Sequence, residues 1–374
     1  MRVVLSGGGT AGHINPALSI AKKILEKEPD SQVLFVGTPT GMENRLVTKE
    51  GFSIRHVKVQ GFQRKLTLKN IKVAYLAMTS VREAGKILRE FLPDVVIGTG
   101  GYVSWPVLRA ASKMKIPTLI HEQNAQPGLT TLRLSKFVDR VCLSFESSRK
   151  HFSCDEAKLV LTGNPVNPLI GTLSRAKCRS ELGISAPFLL SYGGSLGARV
   201  INETIFEVAK NYSAKKAIFH THAFGAREYD AWAKREKEEG ICRFGNVKFC
   251  DYIYDMPRQM AAADLVIARA GAITLAELSL MGKPAILIPS PNVTANHQVL
   301  NARVFEEAGA AVLIEEKDLT AERLQREIDC ILHSPQRQRE MAKAMKSLSF
   351  AGSAEAIWEQ IRRIQKAGTR REVG

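Results

Sequence analysis

Two stretches of this chain share one pattern, in which an apolar run ends in a glycine-rich loop that leads directly into an amphipathic segment. The first is VVLSGGGTAGH, residues 3–13, and the second is LLSYGGSLGAR, residues 189–199. A strand, a glycine loop and a helix in this order open a βαβ unit whose backbone amides approach an anion at the helix N-terminus. Because the pattern occurs twice, we expect two α/β units, each built on a parallel sheet.

The other apolar runs alternate with segments of helical periodicity, which supports this division. In the first half the predicted strands are residues 3–6, 32–37, 54–59, 94–100 and 117–123. The predicted helices are Pro16–Glu28, one around Ile71–Phe91, and a further helix between the last two strands. In the second half the predicted strands are residues 188–195, which run into the glycine loop, 216–223, 246–252, 264–271 and 284–290, and the predicted helices are Ala198–Ala209, Thr274–Met281 and Gln298–Glu307.

A chain of 374 residues exceeds what a single hydrophobic core usually fills. The stretch GNPVNPLIGTLS, residues 163–174, separates the two series of strands. We therefore predict an N-terminal domain over residues 1–163 and a C-terminal domain over 164–349, with the last helix, about 350–374, joining the first domain. The fold class is two Rossmann-like, doubly wound domains, whose glycine loops we expect to face one cleft, because ligands bind beyond the carboxyl ends of such strands.

The first glycine loop has the GxGxxG spacing of dinucleotide-binding proteins, but this spacing alone is a weak signal. A dinucleotide site also needs an acidic residue where the second strand ends, about 20 residues later, to hold the ribose. That strand ends here at Thr38 without an acid, and the next one, Glu43, follows a Pro39 turn. The loop also carries His13, which a nicotinamide site does not need, so the sequence disfavours NAD and leaves another ligand or a purely structural turn.

Four further segments have the composition of a binding site. In GTGGYVSWP, residues 98–106, glycines follow a predicted strand. In HEQNAQPG, residues 121–128, four successive polar side chains follow an apolar strand; they form either a buried network or a ligand site, and we favour the ligand site. In ARAGAITLAE, residues 268–277, Glu277 either accepts hydrogen bonds from a diol or is an ordinary helix acid. In PSPNVTANHQVLNA, residues 289–302, amide side chains suit a sugar or cap a helix.

The formal net charge of +16 favours acidic partners such as nucleic acid, anionic lipid or phosphorylated substrates. Residues 1–163 carry 24 Lys and Arg against 13 Asp and Glu, so most of the excess lies in the first half. The segment Arg55–Arg89, called here the basic segment, contains nine basic residues and one acid, with apolar residues such as Val73 and Leu76 between them.

No run of about 18 apolar residues occurs, so we expect a protein that stays inside the cell. No CxxC or DxD pattern occurs, and we expect no metal and no cofactor.

The motifs GGGTAGHINPAL, GTGGYVSWP, HEQN, TGNPV, GGSLGAR, ARAGAITLAE and NHQVLNA, in this order and spacing, resemble those of the MurG family. The resemblance covers nearly the whole chain. It implies the GT-B glycosyltransferase fold, and an inverting transferase that moves N-acetylglucosamine from UDP-N-acetylglucosamine to the 4-hydroxyl of MurNAc in lipid I. The product is lipid II for peptidoglycan synthesis. The resemblance also implies a peripheral protein at the cytoplasmic face of the cell membrane, with an anionic membrane surface, and other cell-wall synthesis proteins, as partners.

The resemblance also implies roles for particular residues. His13 is the candidate general base, and Glu122 is a supporting or alternative group. The uracil would meet the backbone near Ile253, the ribose would meet Glu277, and the diphosphate would meet Ser195. The other substrate-binding candidates are Thr10, Ala11, Gly12, Asn124, Ala272, Ile273, Thr274 and Gln298.

Two positions depart from the family pattern. Many relatives have an arginine just after GNP, where this chain has Val166 and Asn167, and Trp105 stands where a glycine is expected. The alternatives to the transferase are another GT-B enzyme, such as a different lipid-acceptor transferase or a UDP-sugar epimerase, and a basic nucleic-acid-binding protein, which only the charge supports.

Overall fold

The computed structural model describes residues 1–59, 69–194, 196–214, 217–293 and 296–372, with side chains for all of these except 69–78 and 368–372. The chain divides into two compact units. Unit 1 comprises Met1–Val166 and Ala351–Gly374, and unit 2 comprises Asn167–Phe350.

Unit 1 is built on a parallel sheet with the strand order β3-β2-β1-β4-β5-β6-β7. Its strands are β1 Arg2–Ser6, β2 Gln32–Gly37, β3 Ser53–His56, β4 Val95–Gly98, β5 Thr118–Glu122, β6 Arg140–Leu143 and β7 Leu159–Leu161. The helices between them are α1 Ala11–Lys27, α2 Glu43–Lys49, α3 Lys69–Phe91, α4 Ser104–Lys113 and α5 Leu129–Leu134, with 3-10 turns at Glu146–His151 and Glu156–Lys158.

Strands β1, β4 and β5 of unit 1 are buried along nearly their whole length because helices cover both faces of the sheet, whereas the edge strand β3 is mostly exposed. Successive side chains of β1 point to opposite faces. Val3 packs in one buried cluster with Ile14 of α1, whereas Val4 packs in the other with Leu88 of α3 and Val107 of α4. The order of the strands reverses between β1 and β4. The carboxyl ends of these two strands therefore define the position where a doubly wound sheet binds its ligand.

Unit 2 repeats this architecture with the order β10-β9-β8-β11-β12-β13, again parallel. Its strands are β8 Phe188–Tyr192, β9 Phe219–Ala223, β10 Val247–Cys250, β11 Leu265–Ala268, β12 Ala285–Leu287 and β13 Ala311–Leu313. Its helices are α6 Arg175–Glu181, α7 Arg199–Ser213, α8 Tyr229–Glu239, α9 Met256–Ala262, α10 Ala272–Met281, α11 His297–Glu307, α12 Ala321–Leu332 and α13 Pro335–Ser347, with 3-10 turns at Ile241–Phe244 and Glu316–Asp318. The strand order here reverses between β8 and β11.

The last helix, α14 Ser353–Glu372, packs on unit 1. Its residues Ile357, Ile361 and Ile364 are buried in the cluster that contains Val3. At the helix surface Arg362 forms an ion pair with Glu28 at 2.9 Å. Among the helices that the structure describes, none combines the length and the apolar character needed to cross a membrane.

Several elements differ from the predicted ones. Helix α1 begins at Ala11, five residues before the predicted start at Pro16. A proline removes one backbone hydrogen bond, which here concerns the carbonyl of Gly12, an exposed residue that water can reach. The predicted strand at 54–59 ends at His56. Strands β6, β7 and β13 were not predicted, because runs of three or four apolar residues carry little periodicity.

Candidate active site

His13 lies in the first turn of α1, next to the glycine loop that ends β1, and it is half-buried. Its Nδ1 atom lies 3.1 Å from the carbonyl oxygen of Gly8 and 3.3 Å from the hydroxyl of Thr10. A carbonyl oxygen can only accept, so Nδ1 carries the proton of the neutral ring and the lone pair resides on Nε2. This is the tautomer that a general base at Nε2 requires.

The backbone around His13 is fixed from the neighbouring strand. The Thr99 hydroxyl, just after β4, donates to the His13 carbonyl at 2.7 Å. The imidazole lies directly against Gly100, where a Cβ atom would be 2.8 Å from His13 Cδ2. Thr10 and Gly12 are exposed and Ala11 is half-buried, so the start of α1 is accessible to a ligand.

A carboxylate to which the sequence pattern assigned no role lies beneath this loop. Glu43, the first residue of α2, is fully buried and accepts a hydrogen bond from the Gly9 amide at 3.3 Å. It also accepts from the amide and the hydroxyl of Thr38, at 2.9 and 2.7 Å. A ribose cannot reach a carboxylate in this position, so the structure adds a second argument against a dinucleotide. The sequence signal that could have found it is the pair of glycines at 37 and 41.

Three of the four side chains of the HEQN segment at the end of β5 are buried in a hydrogen-bonded network, and Asn124 is half-buried. Glu122 is 2% exposed, and one of its oxygens accepts from the amide and side chain of Asn124 at 3.1 and 3.2 Å. The other oxygen accepts from the Gly128 amide at 3.1 Å. Glu122 thus shapes the loop that presents the half-buried Asn124, which favours the supporting role for Glu122 over the alternative base.

His121 of the same segment is fully buried and neutral. Its Nε2 donates to the Gly163 carbonyl at 2.9 Å, and its Nδ1 accepts from the Gln123 amide at 2.9 Å. Desolvation lowers the pKa of His121 to about 4, although the bond to Gly163 opposes this. Asn164 donates to the Gln123 carbonyl at 3.1 Å. The TGNPV and HEQN motifs are therefore one hydrogen-bonded substructure of unit 1.

In unit 2 the loop after β8 packs against the loop after β9. A Cβ atom at Gly197 would be 2.0 Å from the Phe224 carbonyl oxygen, so there is no room for a side chain. Gly197 also has φ +86°, a backbone conformation that favours glycine. Ser195, predicted to meet the diphosphate, lies outside the described residues. Among those described, no carboxylate accepts a hydrogen bond from the amides of this loop, in contrast to the loop of unit 1.

An arginine to which the sequence motif assigned no role shortly precedes the start of α10, where Ala272, Ile273 and Thr274 lie. Arg269, just after β11, donates to the carbonyls of Ile288 and Pro289 at 3.1 and 3.0 Å and forms an ion pair with Glu316. Its guanidinium therefore links the ends of β11 and β12.

Glu277 lies half-buried in the second turn of α10. Desolvation raises the pKa of its carboxyl to about 7, and among the described residues none forms a hydrogen bond with it. The nearby hydroxyl of Tyr192 stays protonated, because burial and then the charge of Glu277 raise its pKa above the ordinary value. A desolvated carboxylate with unused acceptor sites suits a ligand that brings its own hydroxyl donors.

Gln298 and Ile253 complete the predicted site residues of unit 2. The Gln298 side-chain oxygen accepts from the Ser290 amide at 2.8 Å, so its side-chain NH₂ group is the end that can face a ligand. The Ile253 side chain is buried after β10, between the exposed Tyr252 and Tyr254. The amide and carbonyl of Ile253 have no hydrogen-bond partner within the described part of the chain, as expected of a backbone that pairs with a base edge.

Comparison with known proteins finds matches over both units. The model of the glycosyltransferase family 28 N-terminal domain matches residues 3–143, and that of the family 28 C-terminal domain matches residues 188–357. A protein of Acetivibrio thermocellus is 48% identical over 98% of this chain and 99% of its own length. It is named UDP-N-acetylglucosamine–N-acetylmuramyl-(pentapeptide) pyrophosphoryl-undecaprenol N-acetylglucosamine transferase.

Two solved structures resemble this chain over nearly its whole length. Acinetobacter baumannii MurG superposes with a TM-score of 0.76 at 28% identity, over 97% of this chain and 99% of that one. A putative UDP-N-acetylglucosamine 2-epimerase of Listeria monocytogenes has a TM-score of 0.69 at 16% identity, over 96% and 95%. At so low an identity the second likeness concerns the fold alone.

Proposed function

The chain belongs to glycosyltransferase family 28, and on this premise we propose that it transfers N-acetylglucosamine from UDP-N-acetylglucosamine to an undecaprenyl-pyrophosphoryl-linked N-acetylmuramyl pentapeptide, lipid I. The product is lipid II, the precursor of peptidoglycan. The observation that carries this proposal is the 48% identity, over nearly the full length of both chains, to the Acetivibrio thermocellus protein of that name.

The reaction is a single displacement with inversion. The 4-hydroxyl oxygen of the acceptor sugar forms a bond to the anomeric carbon of N-acetylglucosamine, and the bond from that carbon to the β-phosphate oxygen breaks. The proton of the hydroxyl goes to His13 Nε2, which carries the lone pair because Nδ1–H donates to Gly8. A positioned general base contributes about 100- to 10,000-fold to the rate.

The donor would bind unit 2 through the groups found at the ends of β8, β10 and β11. Glu277 would accept from the ribose hydroxyls, and the backbone of Ile253 would pair with the uracil. Amides at the start of α10 and of the loop near Ser195 would stabilise the charge that develops on the leaving UDP. The side-chain NH₂ group of Gln298 would contact the N-acetylglucosamine. The geometry of Gln298 and Glu277 supports these roles, since each has hydrogen-bonding capacity that no described residue uses.

The sugar transferred and the acceptor would contact unit 1. Asn124, held by Glu122 at 3.2 Å, would contact the N-acetylglucosamine. Thr10, Ala11 and Gly12 would approach the site from the accessible start of α1. Val166 and Asn167 still lack the arginine found in many relatives, and nothing in the structure explains that departure.

We also propose that unit 1 contacts an anionic membrane surface, as a polyprenyl acceptor requires. The basic segment lies partly outside the described residues. Within the described part of unit 1, Trp105 and Arg109 of α4 form an aromatic and cationic patch with Phe137. The Arg109 guanidinium lies 3.7 Å from the ring centre of Phe137, which is 42% exposed and packs edge-on against Trp105. Aromatic and basic side chains of this kind favour the headgroup region.

The patch is tested by co-sedimentation with vesicles that contain 30 mol% phosphatidylglycerol. Phe137→Ala should lower the bound fraction several-fold, whereas Tyr254→Ala, at an exposed aromatic residue of unit 2, should not change it. Equal binding of the two variants would exclude the patch as a membrane contact.

The function is tested by incubating the purified protein with radiolabelled UDP-N-acetylglucosamine and a short-chain lipid I analogue. We expect stoichiometric UDP and a labelled disaccharide lipid. UDP release without that lipid would overturn the transferase proposal, and conversion to UDP-N-acetylmannosamine would identify an epimerase instead. A gel shift of nucleic acid, with no effect of UDP-N-acetylglucosamine on thermal stability, would identify a nucleic-acid-binding protein.

A further inference from the structure

Glu43 occupies a cavity that glycines leave for it beneath the loop of His13. A Cβ atom at Gly8 would be 2.9 Å from the carboxyl carbon of Glu43, at Gly37 it would be 2.6 Å from Cγ, and at Gly41 it would be 2.1 Å from Oε1. Any side chain at these positions would displace the carboxylate. Gly8 on one side, and Gly37 and Gly41 on the other, thus leave the space that this fully buried acid occupies.

The carboxyl group of Glu43 is ionised in this cavity. Burial by itself would raise its pKa, but the hydrogen bonds from Thr38 and the bond from Gly9 together hold the pKa below the ordinary value. A buried anion that receives several N–H and O–H donors is stabilised in its charged form. The amide of Gly9 is therefore directed toward a permanent negative charge supplied by the protein itself.

The Gly9 amide and the Gly8 carbonyl belong to the same peptide group. One end of this peptide donates from Gly9 to Glu43 Oε2 at 3.3 Å, and the other end accepts from His13 Nδ1 at 3.1 Å. Hydrogen bonds in such a chain polarise one another, so a carboxylate at one end makes the carbonyl at the other a better acceptor. A carboxylate is thus connected to an imidazole through one peptide group. In a catalytic triad the acid orients the histidine through a direct hydrogen bond, and here the peptide lies between the two groups.

We propose that Glu43 is a positioning residue for His13, and that it acts through the Gly8–Gly9 peptide to keep the proton on Nδ1 and the lone pair on Nε2. The inference rests on the proposed function in one respect, the use of His13 as the base. Glu43 touches neither substrate. Its effect is exerted on the orientation and the tautomer of the imidazole, and on the stability of the imidazolium formed when Nε2 takes the proton.

The rival explanation is that Glu43 only stabilises the fold and has no effect on His13. The chain contains a second acid that serves as a matched control. Asp139, which precedes β6, accepts from the amide and the hydroxyl of Thr118, both at 2.9 Å. This is the same pair of bonds that Glu43 makes with Thr38. The control variant Asp139→Asn thus removes a comparable charge from a comparable clamp at a threonine.

The test compares Glu43→Gln with Asp139→Asn in steady-state kinetics with the lipid I analogue. Glu43→Gln should lower kcat about tenfold, a part of the whole general-base contribution, with the KM for UDP-N-acetylglucosamine within about twofold of the wild type. Asp139→Asn should leave kcat unchanged even if it lowers the melting temperature. Equal kcat losses in both variants, or a loss in KM alone for Glu43→Gln, would overturn the inference.

A double-mutant cycle and a spectroscopic measurement separate this inference from the function on which it rests. In a His13→Ala background, Glu43→Gln should cause no further loss of kcat, because the group through which it acts is absent. A further tenfold loss there would show a separate structural effect and would overturn the inference, while leaving the transferase proposal intact. Full turnover by His13→Ala would instead show that His13 is not the base. This result would overturn both the mechanism proposed for His13 and the positioning role of Glu43.

The tautomer itself is measured by ¹⁵N NMR of the histidine-labelled enzyme, with the His13 signals assigned from the His13→Ala spectrum. Nδ1 should be the protonated nitrogen in the wild type and in Asp139→Asn, and the population should shift toward Nε2–H in Glu43→Gln. If Glu43→Gln fails to fold, Thr38→Val removes one donor to the same carboxylate and should shift the tautomer in the same direction to a smaller extent. An unchanged tautomer in a folded variant would refute the proposal.

Discussion

The glycine loops of units 1 and 2 follow the central strand of the same kind of sheet, yet they differ in what their amides face. In unit 1 the Gly9 amide donates to the buried carboxylate of Glu43. In unit 2 the loop after β8 packs on the Phe224 carbonyl through Gly197, and no carboxylate among the described residues accepts from it. One loop is thus occupied by an anion from the protein, whereas no such anion is found in the described part of the other loop.

The difference matches a division of labour between the units. A loop that already holds an internal carboxylate is a poor place for a diphosphate but a good support for a base. A loop next to the start of a helix, in which no described carboxylate accepts from the amides, is the better candidate for binding the leaving group of the proposed reaction. The similarity of the two sequences therefore reflects the common strand–loop–helix geometry, and the chemistry depends on what surrounds each loop.

The largest expected effect concerns the base in unit 1. His13→Ala should lower kcat by about 100- to 10,000-fold, because no other described group presents an unprotonated imidazole nitrogen at this loop. Binding of UDP-N-acetylglucosamine, measured by isothermal titration calorimetry, should be nearly unchanged. A loss of donor binding with kcat retained would reverse the roles assigned to the two loops.

The next effect concerns unit 2. Glu277→Ala should raise the KM for UDP-N-acetylglucosamine by about ten- to hundredfold, since hydrogen bonds to a charged group contribute about 1.5–3 kcal/mol each. The KM for the lipid acceptor should stay the same. An effect on the acceptor alone would remove Glu277 from the donor site.

A pair of matched glycine substitutions tests the comparison directly. A Cβ atom at Gly101 would be 2.3 Å from the Gly8 carbonyl oxygen, which accepts from His13, and a Cβ atom at Gly197 would be 2.0 Å from the Phe224 carbonyl oxygen. Both glycines have positive φ, so the backbone conformation alone costs alanine about 1–3 kcal/mol at either position, and each close contact with a carbonyl oxygen requires a local backbone shift in addition. Gly101→Ala should mainly lower kcat, and Gly197→Ala should mainly raise the donor KM, each roughly tenfold. The same kinetic pattern in both variants would contradict the division of labour.

The smallest effect is on stability and depends on pH. Desolvation raises the pKa of Glu277 to about 7 in the folded protein, from an ordinary value near 4.5. The folded state therefore binds this proton more tightly than the unfolded chain, and stability falls as pH rises from about 4.5 to 7. Glu277→Gln should accordingly raise the melting temperature by a few degrees at pH 8, about 2–4 °C per kcal/mol, and by less at pH 5. A uniform shift at both pH values would mean that the carboxyl does not titrate there.

The sequence predicted the doubly wound architecture well where strands are long and helices strongly periodic. Segment 32–37 and the helix ending at Phe91 were found because their patterns are local. The HEQN segment was harder, since the same four polar residues fit a ligand site or a buried network. Only the neighbours supplied by residues 163–164 decide between them, and these lie about 40 positions away in the chain.

The sequence by itself determined the two strand–loop–helix units, the family to which they belong and the identity of His13 as the residue to test first. The two units follow from residue spacing along the chain, whereas the family and the candidate role of His13 come from the resemblance of the motifs to a known family. Only the tertiary structure decided that Glu43 returns beneath the loop of Gly8 and Gly9, and that one peptide connects it to His13. The nearby Gly37 and Gly41 are a local signal for the space that Glu43 fills, but the approach of Gly8 and Gly9, more than 30 residues away in the chain, is decided only by the fold.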